Sequence, residues 1–171
     1  SQQKTHGIFL LCLVVLVEGY VTISAEILFI RQLLAFVGGS IIVTSLIIGV
    51  FLLFMAAGYH RGGQIKRNFS GTLQRNLNVA SVLFGIGISY PFVELIYIAC
   101  VKFLHTGFVG YLSIYLLLIT APLVFLLAYT VPIIMDMLKV NQSAGTLGGK
   151  MFALSTIGSF LGATLTSLVF L

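Results

Sequence analysis

The chain has 171 residues, 59% of them hydrophobic and only 8% charged, with a mean hydropathy of +1.14; a soluble domain carries roughly a quarter charged residues. It lacks the polar side chains needed to cover a soluble fold, which excludes an aqueous globular enzyme and implies a membrane-embedded protein. Nine Lys and Arg against four Asp and Glu leave a net charge of +5, which reflects membrane topology rather than nucleic-acid binding.

About twenty apolar residues of helix cross a hydrocarbon core. Five stretches are long enough, near 7–30, 40–59, 79–101, 107–135 and 151–171. They are apolar around their whole circumference, as spanning helices are, and ten-residue alternating segments of the barrel type are missing. The expected fold is all-α, a polytopic transmembrane helix bundle forming a single domain over residues 1–171. The first stretch is too long for a signal peptide and has no small-x-small cleavage pattern. The chain starts at Ser1 and closes on an apolar run at Leu171, and is read as a piece of a longer polypeptide.

In the first span Glu18, Thr22 and Glu26 follow one another at four-residue spacing, drifting about 80° around a helix and sharing one broad face. Arg31 lies about 140° away from Glu26 on a straight helix, so the two do not pair comfortably there. Either Arg31 reaches outward to the external interface, or the helix breaks before it and Arg31 folds back toward an acid. In both cases Gly38, Gly39 and Ser40 turn the chain into span two.

The loop after span two, "HRGGQIKRNFSGTLQR", carries Arg61, Lys66, Arg67 and Arg75. Lys and Arg of short loops stay cytoplasmic. Placing this loop inside also puts Lys4, Lys139 and Lys150 inside and leaves Arg31 and Lys102 outside, so the N terminus is expected in the cytoplasm. The loop orients its spans and touches anionic headgroups; Gly62 and Gly63 would permit a nest for an anionic ligand, without a phosphate-loop pattern. Cys12 and Cys100 fall at different depths and are not expected to bridge. His6, His60 and His105 sit near different helix ends, so no metal site is expected.

Span three contains Glu94 and Pro91, and span four contains Pro122 and Pro132. In span four each proline removes a backbone donor and kinks the helix, leaving carbonyls that neighbours must satisfy. Asp136 and Lys139 are spaced for a surface ion pair of little energetic weight. Span five has Gly158 and Gly162 at GxxxG spacing beside Ser155, Ser159 and Ala163, a pattern that lets helices approach closely in lipid. It is expected to be central and to pack on its own bundle.

An ionisable group at membrane depth costs a few kcal/mol or more, so Glu18, Glu26 and Glu94 need partners, protons or water. Two arrangements answer this need. The acids are neutral and held by hydroxyls such as Thr22, Ser24 or Ser89, or they converge as carboxylates on a cationic substrate or on Arg31. The candidate substrate-binding set is therefore Glu18, Glu26, Arg31 and Glu94, with no catalytic and no metal-binding residue.

Four stretches, "GYVTISAEILFIRQLLAFVGGS", "GVFLLFMAAGYHRGGQIKR", "YTVPIIMDML" and "GTLGGKMFALSTIGSFLGATLTSLVFL", resemble in order the membrane half of the spermidine synthase-like multispanning family. The resemblance is carried by Glu26, Arg31, Gly39, Ser40 and Pro132, and by Gly149, Phe152, Ala153, Thr156, Gly158, Gly162 and Ala163. It implies an anchoring bundle in the bacterial inner membrane that handles a cationic polyamine. It also implies a soluble aminopropyltransferase domain, elsewhere on the polypeptide, that uses decarboxylated S-adenosylmethionine. This chain carries no cofactor motif of its own: "GIG" at 85–87 lies inside a span, where a dinucleotide loop does not belong.

Two other classes fit the composition. A small transporter, or half of one of major-facilitator type, would place a substrate cavity at mid-membrane between broken helices, with Pro91 and Pro122 as the breaks. A structural accessory subunit would keep its acids buried and neutral. The partners expected are the lipid bilayer, a polyamine, and a transferase domain or second membrane subunit, with no nucleic acid.

Overall fold

Helix α1, Gln2–Val37, runs for 36 residues without a proline. It ends where Gly38 adopts φ +77, a left-handed conformation that favours glycine, and the Gly38 N–H closes the last turn on the Leu34 carbonyl at 3.0 Å. Ser40 then caps α2, Ile41–Gly62, its hydroxyl accepting from the Val43 N–H at 3.2 Å. The Gly-Gly-Ser turn is therefore formed as expected. The break before Arg31 is not: with no proline or glycine between Glu26 and Arg31, the helix continues unbroken past both. The computed structural model describes residues 2–66, 68–102, 107–139 and 143–170, and the side chains of 7–66, 68–102, 107–139 and 143–169. Arg67 and His105 fall outside the described residues, as do the side chains of Lys4 and His6.

Residues 79–101, expected as one span, belong instead to two helices. Helix α3, Phe69–Ile88, starts ten residues earlier than expected, and α4, Tyr90–Lys102, turns away from it by 70°. Ser89 is extended at ψ 112. Pro91 explains the break, because its ring has no N–H for the Gly87 carbonyl four residues back and would collide with it in a continuous helix. The two carbonyls released at the elbow find side chains: the Tyr115 hydroxyl donates to Gly87 at 2.6 Å, and Gln32 Nε2 donates to Ile88 at 3.0 Å.

The fourth span is built in segments: α5, Phe108–Tyr115, a π-helical turn over Leu116–Thr120, α6, Ala121–Ala128, and α7, Thr130–Leu138. The wide turn sits just before Pro122, and its last bond runs from the Ala121 N–H to the Leu116 carbonyl, so the ladder passes the missing proline donor without breaking the span. Helix α8, Ala144–Phe170, closes the chain. Every regular element among the described residues is helical. Four helical stretches are long and apolar enough to cross a membrane, and the bent α3–α4 pair qualifies as a fifth.

Contacts give the directions of the helices. Leu73, near the start of α3, packs in a cluster with Val15 of α1 and Val131 of α7, whereas Gly87, near its end, meets Phe29 of α1. Helix α3 thus traverses the bundle alongside α1. Helix α4 lies across the far end, with Tyr90 and Tyr97 both ringed against Phe36 at 5.6 and 5.5 Å. Helix α8 runs parallel to α1, since Ser155, Ser159 and Thr166 meet Glu18, Gly19 and Ser24 in turn.

The expected central position of the last span is corrected. Helix α8 packs chiefly on α1 and leaves Phe160, Leu165 and Leu168 exposed. The centre is the fourth span, where Leu112, Leu116, Leu123 and Val131 are fully buried. Of the small residues of α8, Gly158 and Gly162 are buried against α1, whereas Gly149 and Ala153 are exposed.

Candidate functional site

The α1–α8 seam is made of missing side chains. A Cβ on Gly19 would land on the Ser155 carbonyl oxygen, and one on Gly158 would land on that of Leu16. Gly162 is pressed in the same way against the Tyr20 carbonyl and Ser24. In lipid, such close approach replaces the hydrophobic effect as the source of helix association.

Glu18 is held in this seam. It is 4% exposed, accepts from the Thr22 hydroxyl at 3.1 Å on Oε1 and accepts from the Ser155 hydroxyl at 3.2 Å on Oε2. Tyr59 of α2 stands within electrostatic range. Within the apolar stretch Gly7–Val37, whose midpoint is Thr22, Glu18 sits one turn, about 6 Å along the helix, from the middle. The seam is polar further along as well: Ser159 donates to the Gly19 carbonyl at 3.2 Å and Thr166 donates to Ser24 at 2.8 Å.

The other three candidates are elsewhere. Glu26 is half-buried on α1, Glu94 is exposed on α4, and Arg31 is exposed on α1. Among the described residues, no group of three or more His, Cys, Asp or Glu comes together, and Arg31 pairs with none of the acids. The arrangement in which Glu18, Glu26 and Glu94 converge thus finds no compact acid cluster among the described residues. Glu94 leaves the group because Pro91 swings α4 aside, and Glu26 because it lies two turns beyond Glu18 along α1. Of the hydroxyls expected to serve the acids, Thr22 does so, whereas Ser24 serves Thr166 and Ser89 sits at the elbow. Ser155, noted in the sequence only as a small residue, is the partner that was missed.

Two cavities adjoin these residues. Between α1, α3 and α6 lies a half-open space of about 560 Å³, walled by Val17, Glu18, Val21, Ala80, Phe84 and Leu123 among others. Against the elbow, a shallower space of about 330 Å³ is bordered by Arg31, Gln32, Phe36, Ile88 and Tyr90. Asp136 and Lys139 form the expected ion pair at 3.9 Å, and the two cysteines are not joined by a disulfide.

Comparison with protein-family models, with curated proteins and with solved structures found no significant match. Fold and composition define the class: the chain is an integral, polytopic membrane helix bundle with one deeply buried acid in its α1–α8 seam.

Proposed function

We propose that this bundle is the membrane domain of a spermidine synthase-like protein of the bacterial inner membrane, anchoring the polypeptide and handling a cationic amine of polyamine type through Glu18. The observation that carries the reading is an acid buried in the α1–α8 seam of an apolar spanning helix, on a residue that also lines a cavity. A group so costly to place in hydrocarbon marks a functional site by default. The family resemblance supports the polyamine and supplies the transferase domain, whose cofactor would be decarboxylated S-adenosylmethionine. Glu26, Arg31 and Glu94, the other members of the expected substrate-binding set, take secondary parts in this reading, outside the cavity that Glu18 lines.

Calorimetric titration of spermidine into the protein in lipid nanodiscs tests it. Glu18→Gln keeps the size of the side chain and an oxygen for the seam hydroxyls but removes the charge, and is expected to weaken binding about tenfold, the loss of one charge-assisted contact. Glu94→Gln is expected to change it little. An affinity unaltered by Glu18→Gln would leave the acid a purely structural role in the seam.

A further inference from the structure

The cavity beside Glu18 narrows the chemistry of its ligand. Its walls are Leu, Val, Ala and Phe side chains and one serine, Ser81, whose hydroxyl donates to the Asn78 carbonyl at 2.8 Å, with Glu18 the one ionisable residue among them. At about 560 Å³ it falls within the roughly 300–1,000 Å³ of small-molecule sites. Its rim residues Leu10, Leu13 and Val17 are 61%, 47% and 48% exposed, on a span whose surroundings are hydrocarbon, so the cavity opens sideways into the bilayer.

We infer that the α1/α3/α6 cavity is a binding site for an amphiphilic monoamine, entered from the lipid, with the hydrocarbon body between Val17, Ala80 and Phe84 and the ammonium group on Glu18. The inference rests on the reading of Glu18 as the acid that meets an amine, and restricts which amine this cavity takes. A carboxylate has about four acceptor positions, and Thr22 and Ser155 occupy one on each oxygen, so acceptor capacity remains for an N–H donor. One acid in apolar walls neutralises one positive charge. A polyamine can set only one ammonium group on Glu18 and must keep its others outside these walls, where the Ser81 hydroxyl is already given to the Asn78 carbonyl, because burying them unpaired is strongly unfavourable. The cavity itself therefore favours an amine with a single charge. A neutral chain of the same length would fill the volume and forgo the charge-assisted bond.

The chain contains no tryptophan, so a single indole placed at the rim reports on the cavity. Val17→Trp puts it there, and Ile42→Trp, on the exposed start of α2, reports ordinary partitioning into lipid. The probe is ω-bromododecylamine, whose bromine quenches tryptophan, with ω-bromododecanol as its neutral twin. In nanodiscs the amine is expected to quench Val17→Trp saturably and Ile42→Trp only in proportion to its membrane concentration. Half-saturation at Val17→Trp is expected about tenfold higher for the alcohol, and higher by a similar factor for the amine when Glu18→Gln is added. Ala80→Phe, which fills the cavity and keeps the acid, is expected to abolish the saturable phase. Quenching alike at both positions, or alike for amine and alcohol in the otherwise unaltered protein, overturns the inference without depending on a risky variant. Saturable quenching that survives Ala80→Phe also overturns it, while leaving the spermidine titration to judge the broader reading. If Glu18→Gln changes neither quenching nor spermidine affinity, both fall together.

Discussion

Tyr115 and Tyr111 sit one turn apart on α5, both fully buried, yet their hydroxyls have opposite consequences. That of Tyr115 satisfies the Gly87 carbonyl released by Pro91, whereas that of Tyr111 is buried with no hydrogen-bond partner among the described residues. Removing a partner from a buried acceptor costs about 1–3 kcal/mol, whereas removing a buried hydroxyl that bonds to nothing costs little or is favourable. Tyr115→Phe is therefore expected to destabilise the bundle by that amount and Tyr111→Phe to leave it unchanged or more stable, as measured by steric-trap unfolding in bicelles. Equal losses for both would mean that the elbow carbonyl is satisfied in another way. Such roles were not readable beforehand. The depth of Glu18 follows from its neighbours in the chain, but its partner Ser155 lies 137 positions away, and no local pattern ties a serine in one apolar span to an acid in another.

At the scale of elements, apolar stretches located the second and fourth spans closely, because burial in hydrocarbon acts on side chains summed over a window, but ended the first at 30 where α1 continues to Val37 and began the last at 151 where α8 starts at Ala144. The third was misplaced for the same reason. Arg75, Asn76 and Asn78 lower the hydropathy of the first half of α3, yet helical hydrogen bonding continues through them and Asn76 is buried at 3% exposure. Beyond the elbow the window saw only apolar residues and ran on through a 70° turn. Pro91 and Pro122 were legible as breaks; that one would turn the chain and the other be absorbed in a wide turn depends on which neighbours reach the freed carbonyls. The glycine spacing of α8 was legible, and its chemistry is demanding. Gly158 lies on the backbone of Leu16 and Tyr20, where the obstruction is main chain and cannot rotate away. Gly158→Leu is expected to destabilise the protein by about 1–3 kcal/mol, the usual range for forced overpacking, in thermal unfolding followed by circular dichroism. Gly149→Leu, where a Cβ would meet open space, is expected to have a much smaller effect. A similar loss at both positions would remove the close α1–α8 contact from the account.

Across the whole molecule, α1 and α3 run one way, α2 and the α5–α7 span the other, and α8 rejoins the direction of α1. If the N terminus lies in the cytoplasm, as expected from the basic loops, the Gly38–Ser40 turn and α4 face outward and the loop after α2 faces inward. Glu94 then lies on α4, the arm that turns 70° away from α3 at that end. In a background with Cys12 and Cys100 replaced by alanine, a membrane-impermeant thiol reagent applied to intact cells is expected to label Gly39→Cys and to spare Asn68→Cys. The reverse pattern would invert the orientation. The α1–α8 seam matters most, because it holds the acid that also lines the α1/α3/α6 cavity. Its register is tested directly by the pair Ser24→Cys and Thr166→Cys in the same cysteine-free background, since the native hydroxyls are 2.8 Å apart. The account predicts efficient oxidation to an intramolecular disulfide, detected by mass spectrometry. Failure of that bond to form, together with efficient bridging of Ser24→Cys to a cysteine at Thr156 on the exposed face of α8, would contradict it.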